Sequence, residues 1–381
     1  MGEWEKQKLC DVSSIVGRIG FRGYTTNDIV EKGMGAIALS PTNIVNNQLT
    51  YDKENTYISM SKYEESPEIM IKRGDVIFVK TGSTVGKVAY VDKMICKTTL
   101  NPQVVVLKDI KCDNYILSVI MSTRNFQNKI QRITVGGAVP TLSQVAMGNI
   151  FISLPAAKEQ EKISKFISLL DERITTQNKI IEDLKKLKCA IIEKLYAEVK
   201  GTKYFYRQLF NIINERNKQL EYSNVLSASQ EKGMVSRDDL NLDIQFERSN
   251  INTYKIVRNG DYVIHLRSFQ GGFAFSEKTG VCSPAYTILR PNGLLVYGYL
   301  SNYFTSRDFV KSLIIVTYGI RDGRSINVDE WLNMKVIIPS KEQQTHIVNV
   351  IESIENKIKN EETYLNCLTN QKQYLLRQMF I

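Results

Sequence analysis

The sequence predicts an α+β protein in which two similar mixed α/β modules are separated by two long helices packed as an antiparallel coiled coil, the whole being a pseudo-twofold internal duplication. Three observations predict it. Gly74-Asp75 ahead of the apolar run Val76 to Val79 recurs as Gly260-Asp261 ahead of Tyr262 to Ile264, and Gly86 and Cys96 recur as Gly272 and Cys282, all at an offset of 186. Leu154-Pro155 with Glu159-Gln160 and Ile163 returns as Ile338-Pro339 with Gln343-Gln344 and Ile347 at an offset of 184. Each copy then closes on a heptad-patterned stretch, and a repeat this long is a duplicated domain plus spacer rather than a solenoid unit. A length of 381 residues suits such a layout, with a core in each module.

In chain order, the pattern divides into a first module over 1–153, a first helical spacer over 154–199, a second module over 200–337 and a second spacer over 338–381. Strands are predicted at Val76 to Val79, Lys87 to Val91, Gln103 to Leu107 and Ile150 to Ser153, with a helix from about Tyr115 to Ile133. Their counterparts are strands at Tyr262 to Leu266, Gly272 to Phe275, Tyr286 to Leu289 and Val336 to Ile338, with a helix from about Tyr297 to Val316. Proline near the start of each spacer suits a helix beginning there.

In the first spacer Ile163, Ile167, Leu170, Ile174, Gln177, Ile181, Leu184, Lys188, Ile191 and Leu195 alternate in steps of four and three. The second repeats the seam as Ile347, Ile351, Ile354, Ile358, Glu361, Leu365, Leu368, Lys372, Leu375 and Met379. Even the polar exceptions correspond, and polar seam residues are a known device for fixing register. About 40 residues gives a helix of roughly 60 Å. Because a whole module intervenes, the second helix can return antiparallel to the first, and Gln177 would then approach Glu361 near a pseudo-twofold axis.

Charge narrows the function. The net charge is +10 from 50 basic and 40 acidic residues. Residues 1–153 carry 18 basic against 14 acidic and residues 200–337 carry 18 against 13, whereas the spacers carry 9 against 8 and 5 against 5. A basic excess confined to repeated modules points to phosphate neutralisation, with ordinary solubility as the plainer explanation. The opening MGEWEKQKLCDV has no apolar core of signal-peptide length, and no stretch approaches a membrane span, so a cytoplasmic location away from membranes is expected. Cys10, Cys96, Cys112, Cys189, Cys282 and Cys367 are scattered without a C-x-x-C pair, which fits reduced thiols. Two histidines, His265 and His346, make a histidine metal site improbable.

Catalytic signatures are missing. Gly82-Ser83-Thr84-Val85-Gly86-Lys87-Val88 has three residues between its glycines and Val88 after the lysine, where a phosphate loop needs four and then Ser or Thr. It reads instead as a glycine turn between strands. No H-E-x-x-H, G-x-S-x-G or amino-methyltransferase pattern is found, so no cofactor and no catalytic residue are expected.

The order of module, P-x-x-x-E-Q-type helix, module and helix, with Gly-Asp ahead of a glycine turn in each module, resembles the specificity subunit of type I restriction-modification systems. The residues that carry it are Gly74-Asp75 to Gly86-Lys87 and Pro155 to Ile163, with the helix ending near Leu195-Tyr196. Their echoes are Gly260-Asp261 to Gly272, Pro339 to Ile347 and Met379-Phe380. The resemblance spans essentially the whole chain and implies two target-recognition domains, each reading one half of a bipartite double-stranded DNA sequence. It also implies two methyltransferase subunits bound along the helices and motor-nuclease restriction subunits in the full complex. The second module departs from the first, with His-Leu-Arg-Ser-Phe-Gln-Gly-Gly at 265–272 against Val-Lys-Thr-Gly-Ser-Thr-Val-Gly at 79–86, as expected of modules that read different bases.

Candidate DNA contacts follow from side-chain chemistry. In the first module they are Arg22, Tyr24, Lys80, Thr81, Ser83, Thr84, Lys87 and Lys97; in the second, His265, Arg267, Ser268, Gln270, Arg321 and Arg324. Arg and Lys bond guanine, Gln bonds adenine, and hydroxyls hold bases or phosphate. Gly136-Gly137, Gly319 and Gly323 are read as turn formers. Two alternatives stand beside DNA reading: a self-contained DNA-modifying enzyme, which lacks its catalytic cluster, and a coiled-coil scaffold, which leaves two basic modules without a role.

Overall fold

The computed structural model describes residues 4–51, 54–229, 232–237, 248–265, 272–318 and 325–380. The chain forms two units, one from residues 1–176 with 365–381 and the other from residues 177–364.

In the first unit β-branched residues build a six-stranded sheet in the order Ser14–Gly17, Val104–Lys108, Val76–Val79, Val88–Tyr90, Gln48–Leu49 and Ile44–Val45. Its central strands are buried on both faces, so they read as continuous apolar runs rather than alternations. Phe78, Val105 and Leu107 face helices α1 (Asn114–Ser122) and α2 (Arg124–Ile133), where Leu117, Ile120, Phe126 and Ile130 cover them. Ile77, Val79, Val104 and Val106 face the other way, onto Ile37, Leu39 and Leu100 of a second sheet. That sheet has the order Thr98–Leu100, Ala36–Leu39, Thr56–Ile58 and Ile29–Val30.

The second unit repeats the plan with a four-stranded sheet, Phe210–Ile213, Thr287–Pro291, Tyr262–Ile264 and Phe273–Phe275. Its core is aromatic: Tyr206 stacks on Trp331 with ring centres 4.3 Å apart, and Phe210, Tyr262, Phe273, Phe304 and Phe309 pack around them.

The single helix expected from Tyr115 to Ile133 is two. Thr123 adopts an extended conformation between α1 and α2, and its hydroxyl accepts the N–H of Phe126 at 3.4 Å. The expected helix from Tyr297 to Val316 is likewise replaced by turns and 3-10 segments around a short helix, α3 (Arg307–Ser312), capped by Ser306 on the N–H of Phe309 at 3.3 Å. Gly298, at φ +71°, turns the chain ahead of it. A hydroxyl cap contributes about 1 kcal/mol, enough for two capped helices to compete with one continuous helix. The predicted strand from Tyr262 ends at Ile264, and Leu266 lies outside the described residues.

Both spacers are continuous helices, α4 (Ala157–Ala197) and α5 (Lys341–Met379). Each starts beyond a two-stranded ladder: Glu5–Lys8 with Phe151–Leu154 in the first unit, and Thr202–Phe205 with Lys335–Ile338 in the second. A buried glutamine fixes each start. Gln160 accepts the N–H of Asp113 at 2.8 Å and donates to the carbonyl of Pro155 at 2.8 Å. Gln344 accepts the N–H of Val296 at 2.8 Å and donates to the carbonyl of Pro339 at 3.1 Å.

Every seam position named from the heptads is buried or half-buried. Within the second unit α4 and α5 are antiparallel neighbours, since Gln177 donates to the Glu361 carboxylate and carbonyl while Lys188 pairs with Glu355 at 2.5 Å. Within the first unit Lys372 pairs with Asp171. Adding 184 to Asp171 and Lys188 gives Glu355 and Lys372, so the two ion pairs are the same contact made with the helices exchanged. The unit boundaries fall inside both helices because their ends join different cores. Ile167 and Phe380 are buried with the first module, and Ile192, Ile347 and Ile351 with the second.

Candidate nucleic-acid interface

The repeated Gly-Asp pair is structural. Gly74 and Gly260 take φ of +96° and +93°, and the aspartate that follows each accepts the N–H three residues back, Lys72 at 2.8 Å and Arg258 at 2.9 Å. Burial pushes the Asp75 carboxyl up, and Asp261 is bridged by Arg290 through two bonds of 2.8 Å. This turn launches the central strand of each sheet and so aims the loop at that strand's far end.

In the first unit the loop holds Lys80, Thr81, Ser83, Thr84 and Lys87, bringing five of the expected contacts together. Gly82 and Gly86 sit at φ +103° and +102°. Gly82 donates to the carbonyl of Pro140 at 2.9 Å, Leu142 donates to the carbonyl of Lys80 at 2.8 Å, and Thr81 bridges Thr141. The loop is thus tied to the turn at 135–141, where Val135 and Val139 are 69% and 60% exposed. Ser83 is exposed, whereas Lys87 turns back to the carbonyl of Ile44 at 3.1 Å.

Arg22, Tyr24 and Lys97 form a second group. Arg22 donates to the carbonyl of Glu65 at 3.1 Å and lies 3.6 Å from the Glu68 carboxylate, and Lys97 sits 5.8 Å from the ring of Tyr63, just before Glu65. Arg18, which sequence reasoning missed, organises them: it lies 5.5 Å from the Tyr24 ring and donates to the carbonyls of Leu100 at 2.9 Å and Arg22 at 3.1 Å. Burial pulls its guanidinium down from the usual value. Three residues beyond Leu100, the carbonyl of Gln103 accepts the N–H of Lys80 at 2.9 Å. The turn from Leu100 to Gln103 therefore links the two groups through its backbone carbonyls.

In the second unit His265 donates its N–H to the carbonyl of Gly272 at 2.7 Å and stacks on Tyr286, ring centres 5.6 Å apart. Burial pushes its imidazole down. Arg267, Ser268, Gln270, Arg321 and Arg324 lie outside the described residues, as do Gly319 and Gly323. Among the described residues no group of His, Cys, Asp and Glu could hold a metal ion, and no helix is long and apolar enough to cross a membrane.

The loop geometry yields a stability prediction. A Cβ at Gly86 would lie 2.3 Å from Oε1 of Gln127, whose amide holds the carbonyls of Gly86 and Met121. G86A is expected to cost about 1–3 kcal/mol through left-handed strain and lost bonds. At Gly137 a Cβ meets nothing within 4 Å, and G137A should be near neutral. Thermal denaturation of both variants checks the contrast.

Residues 1–186 match the family model described as the type I restriction modification DNA specificity domain. That segment, just under half of the chain, is similar to the domain of this family. The type I restriction enzyme MjaVIII specificity subunit of Methanocaldococcus jannaschii is 29% identical over 131 residues, 34% of this chain and 30% of that relative. The match thus spans under a third of the relative's length. Two solved structures share the fold. The S subunit of a type I restriction-modification system from M. genitalium aligns over 100% of this chain and 96% of its own at 12% identity and a TM-score of 0.56. A chain from a structure of type I R-M complex assembly and conformational transition aligns over 99% and 97% at 14% identity and a TM-score of 0.59.

Proposed function

We propose that this chain is the non-catalytic, sequence-reading subunit of a type I restriction-modification complex, directing it to a bipartite double-stranded DNA target. Residues 1–153 read one half-site and residues 200–337 the other. The helices of 154–199 and 338–381 form an antiparallel coiled coil that sets the gap and docks two methyltransferase subunits, which restriction subunits join in the full complex. The chain works in the cytoplasm, without a cofactor of its own.

The observation that carries this reading is the pairing of repeated frameworks with unlike loops. The Gly-Asp turn, the hydroxyl-capped helix start and the glutamine clamp recur in both copies. The loop after the central strand changes from Val-Lys-Thr-Gly-Ser-Thr-Val-Gly to His-Leu-Arg-Ser-Phe-Gln-Gly-Gly. A constant frame with variable edge chemistry suits two modules that approach the same polymer and select different bases. The reciprocal ion pairs of Asp171 with Lys372 and Lys188 with Glu355 support a pseudo-twofold frame, as a two-part target requires.

The isolated chain is expected neither to methylate nor to cut DNA. The assay supplies S-adenosylmethionine, ATP, magnesium and duplex DNA to the purified chain. Turnover that scales with its concentration, in a preparation free of partner subunits, overturns the non-catalytic assignment.

A further inference from the structure

The two copies share one more turn, and it differs at a single informative place. Asn101-Pro102-Gln103-Val104 corresponds to Ser283-Pro284-Ala285-Tyr286, each leading into a strand that is paired on both sides in its sheet. The backbone is the same in both: Val104 donates to the carbonyl of Asn101 at 3.1 Å, and Tyr286 to that of Ser283 at 3.1 Å. The first side chain caps the N–H two residues on, Asn101 Oδ1 from Gln103 at 2.7 Å and Ser283 Oγ from Ala285 at 3.3 Å. Proline presets the second position of such a turn, and Asn or Ser suits the first. The third position is glutamine in one copy and alanine in the other.

In the first unit this position is held from both sides. The N–H of Gln103 is capped by Asn101, and its carbonyl accepts the N–H of Lys80 at 2.9 Å. Its side-chain amide, by contrast, makes no hydrogen bond among the described residues. It lies beside Gly82, where a Cβ would be in ordinary contact, 3.4 Å from Gln103 Nε2. A half-buried glutamine with an uncommitted amide therefore stands on a rigid turn, between the loop of Lys80 to Lys87 and the group of Arg22 and Tyr24. Holding a side chain on a fixed backbone lowers the ordering cost of each bond it forms.

An uncommitted amide presents one donor and one acceptor side by side, the pattern that matches N7 and N6 of adenine in the major groove. We infer that Gln103 is a specificity-determining residue that reads one adenine in the half-site of the first module. Alanine at the matching place, Ala285, offers instead only the apolar contact that suits a thymine methyl. The inference rests on the DNA-reading role proposed above.

The test uses the full-length chain assembled with its methyltransferase partners, incubated with a library of duplexes of randomised sequence, and the bound duplexes are sequenced. Wild type should select two half-sites. Q103A should relax one A·T position in one of them by roughly 10- to 100-fold, as the loss of a bidentate base contact does. Q103E should move preference at that position towards cytosine, whose amino group a carboxylate accepts. The other half-site should stay as selective as before, which also reports that the variants are folded.

Unchanged selection by both variants overturns the inference, as does a uniform weakening across all duplexes. So does relaxation in the half-site that follows residues 200–337. Should Q103A select neither half-site, A285Q decides: a new adenine preference in the other half-site upholds the role of this turn, and no change refutes it. Failure of wild type to select any sequence defeats the DNA-reading role itself, and is seen before any variant is measured.

Discussion

Exchanging residues 200–337 for the corresponding part of a relative is expected to change one half of the DNA target completely and to leave the other half, and the gap, as they were. The expectation follows from how little the candidate contact loop of each module borrows from elsewhere. In the first unit Lys80, Thr81, Gln103 and Arg18 are bonded to partners within residues 1–153. The second module likewise keeps its own turn at Ser283 to Tyr286 and its own stacked aromatic core of Tyr206 and Trp331 within residues 200–337. Methylated-site sequencing in a host carrying the exchanged chain and its partner subunits supplies the measurement. A simultaneous change in both half-sites would mean that the modules read DNA jointly.

A larger mechanical effect is expected from shortening the helices. Removing Ile174 to Ile180 alone keeps the seam of α4 in phase but draws Asp171 and Lys188 together by one heptad, about 10 Å of helix. Glu355 and Lys372 on α5 keep their old separation, so the two reciprocal ion pairs no longer fit together and the single deletion should impair the complex. Removing Ile358 to Tyr364 as well restores the match, because these are the residues of α5 that correspond at an offset of 184. The doubly shortened chain should remain active, with both half-site sequences intact and the favoured gap reduced by about 3 base pairs, given roughly 34 Å per turn of DNA. Sequencing of methylated sites distinguishes the outcomes. An active double-deletion complex with an unchanged gap would show that the helices do not set the spacing.

What the sequence disclosed depended on whether a residue's position was enforced by periodicity. The long helices were legible to within a few residues because heptads repeat a constraint many times, and the approach of Gln177 to Glu361 followed from matching two such patterns. The central strands were legible as apolar runs. The breaks at Thr123 and Ser306 were not, because the apolar spacing of a helix continues across them and a lone hydroxyl residue is as compatible with a helix interior as with a cap. The sheet built on Ala36–Leu39 and Thr56–Ile58 was missed for another reason. Its strands are two to four residues long, too short for any period to emerge.

At the candidate interface, loop membership was visible but orientation was not. Lys80 to Lys87 were found as a glycine-bounded turn, yet nothing local indicates that Lys87 bonds the carbonyl of Ile44, or that Arg18 is buried and bonds the carbonyl of Leu100. Those contacts join residues 43 and 82 positions apart. Gln103 did leave a signal, the proline shared at 102 and 284, which becomes informative once the two turns are seen to superpose bond for bond.

The first unit is assembled from opposite ends of the chain, and this has a bearing on how it is made. Trp4 packs against Phe380 with ring centres 5.3 Å apart, and Leu376 and Met379 pack against the same core as Leu9 and Ile167. A ribosome releases residues 1–176 long before residues 365–380, with the whole of the second unit synthesised between them. The nascent first module must therefore persist with its helix-facing apolar surface uncovered. At about 5–20 residues per second, translating the intervening 188 residues takes roughly 10–40 s, far longer than a small domain needs to fold. During that interval the open edge is sticky, and premature termination anywhere before residue 365 leaves it so permanently. Synthesis of residues 365–380 is what covers this surface, so the first module reaches its final packing only after the second unit has been made.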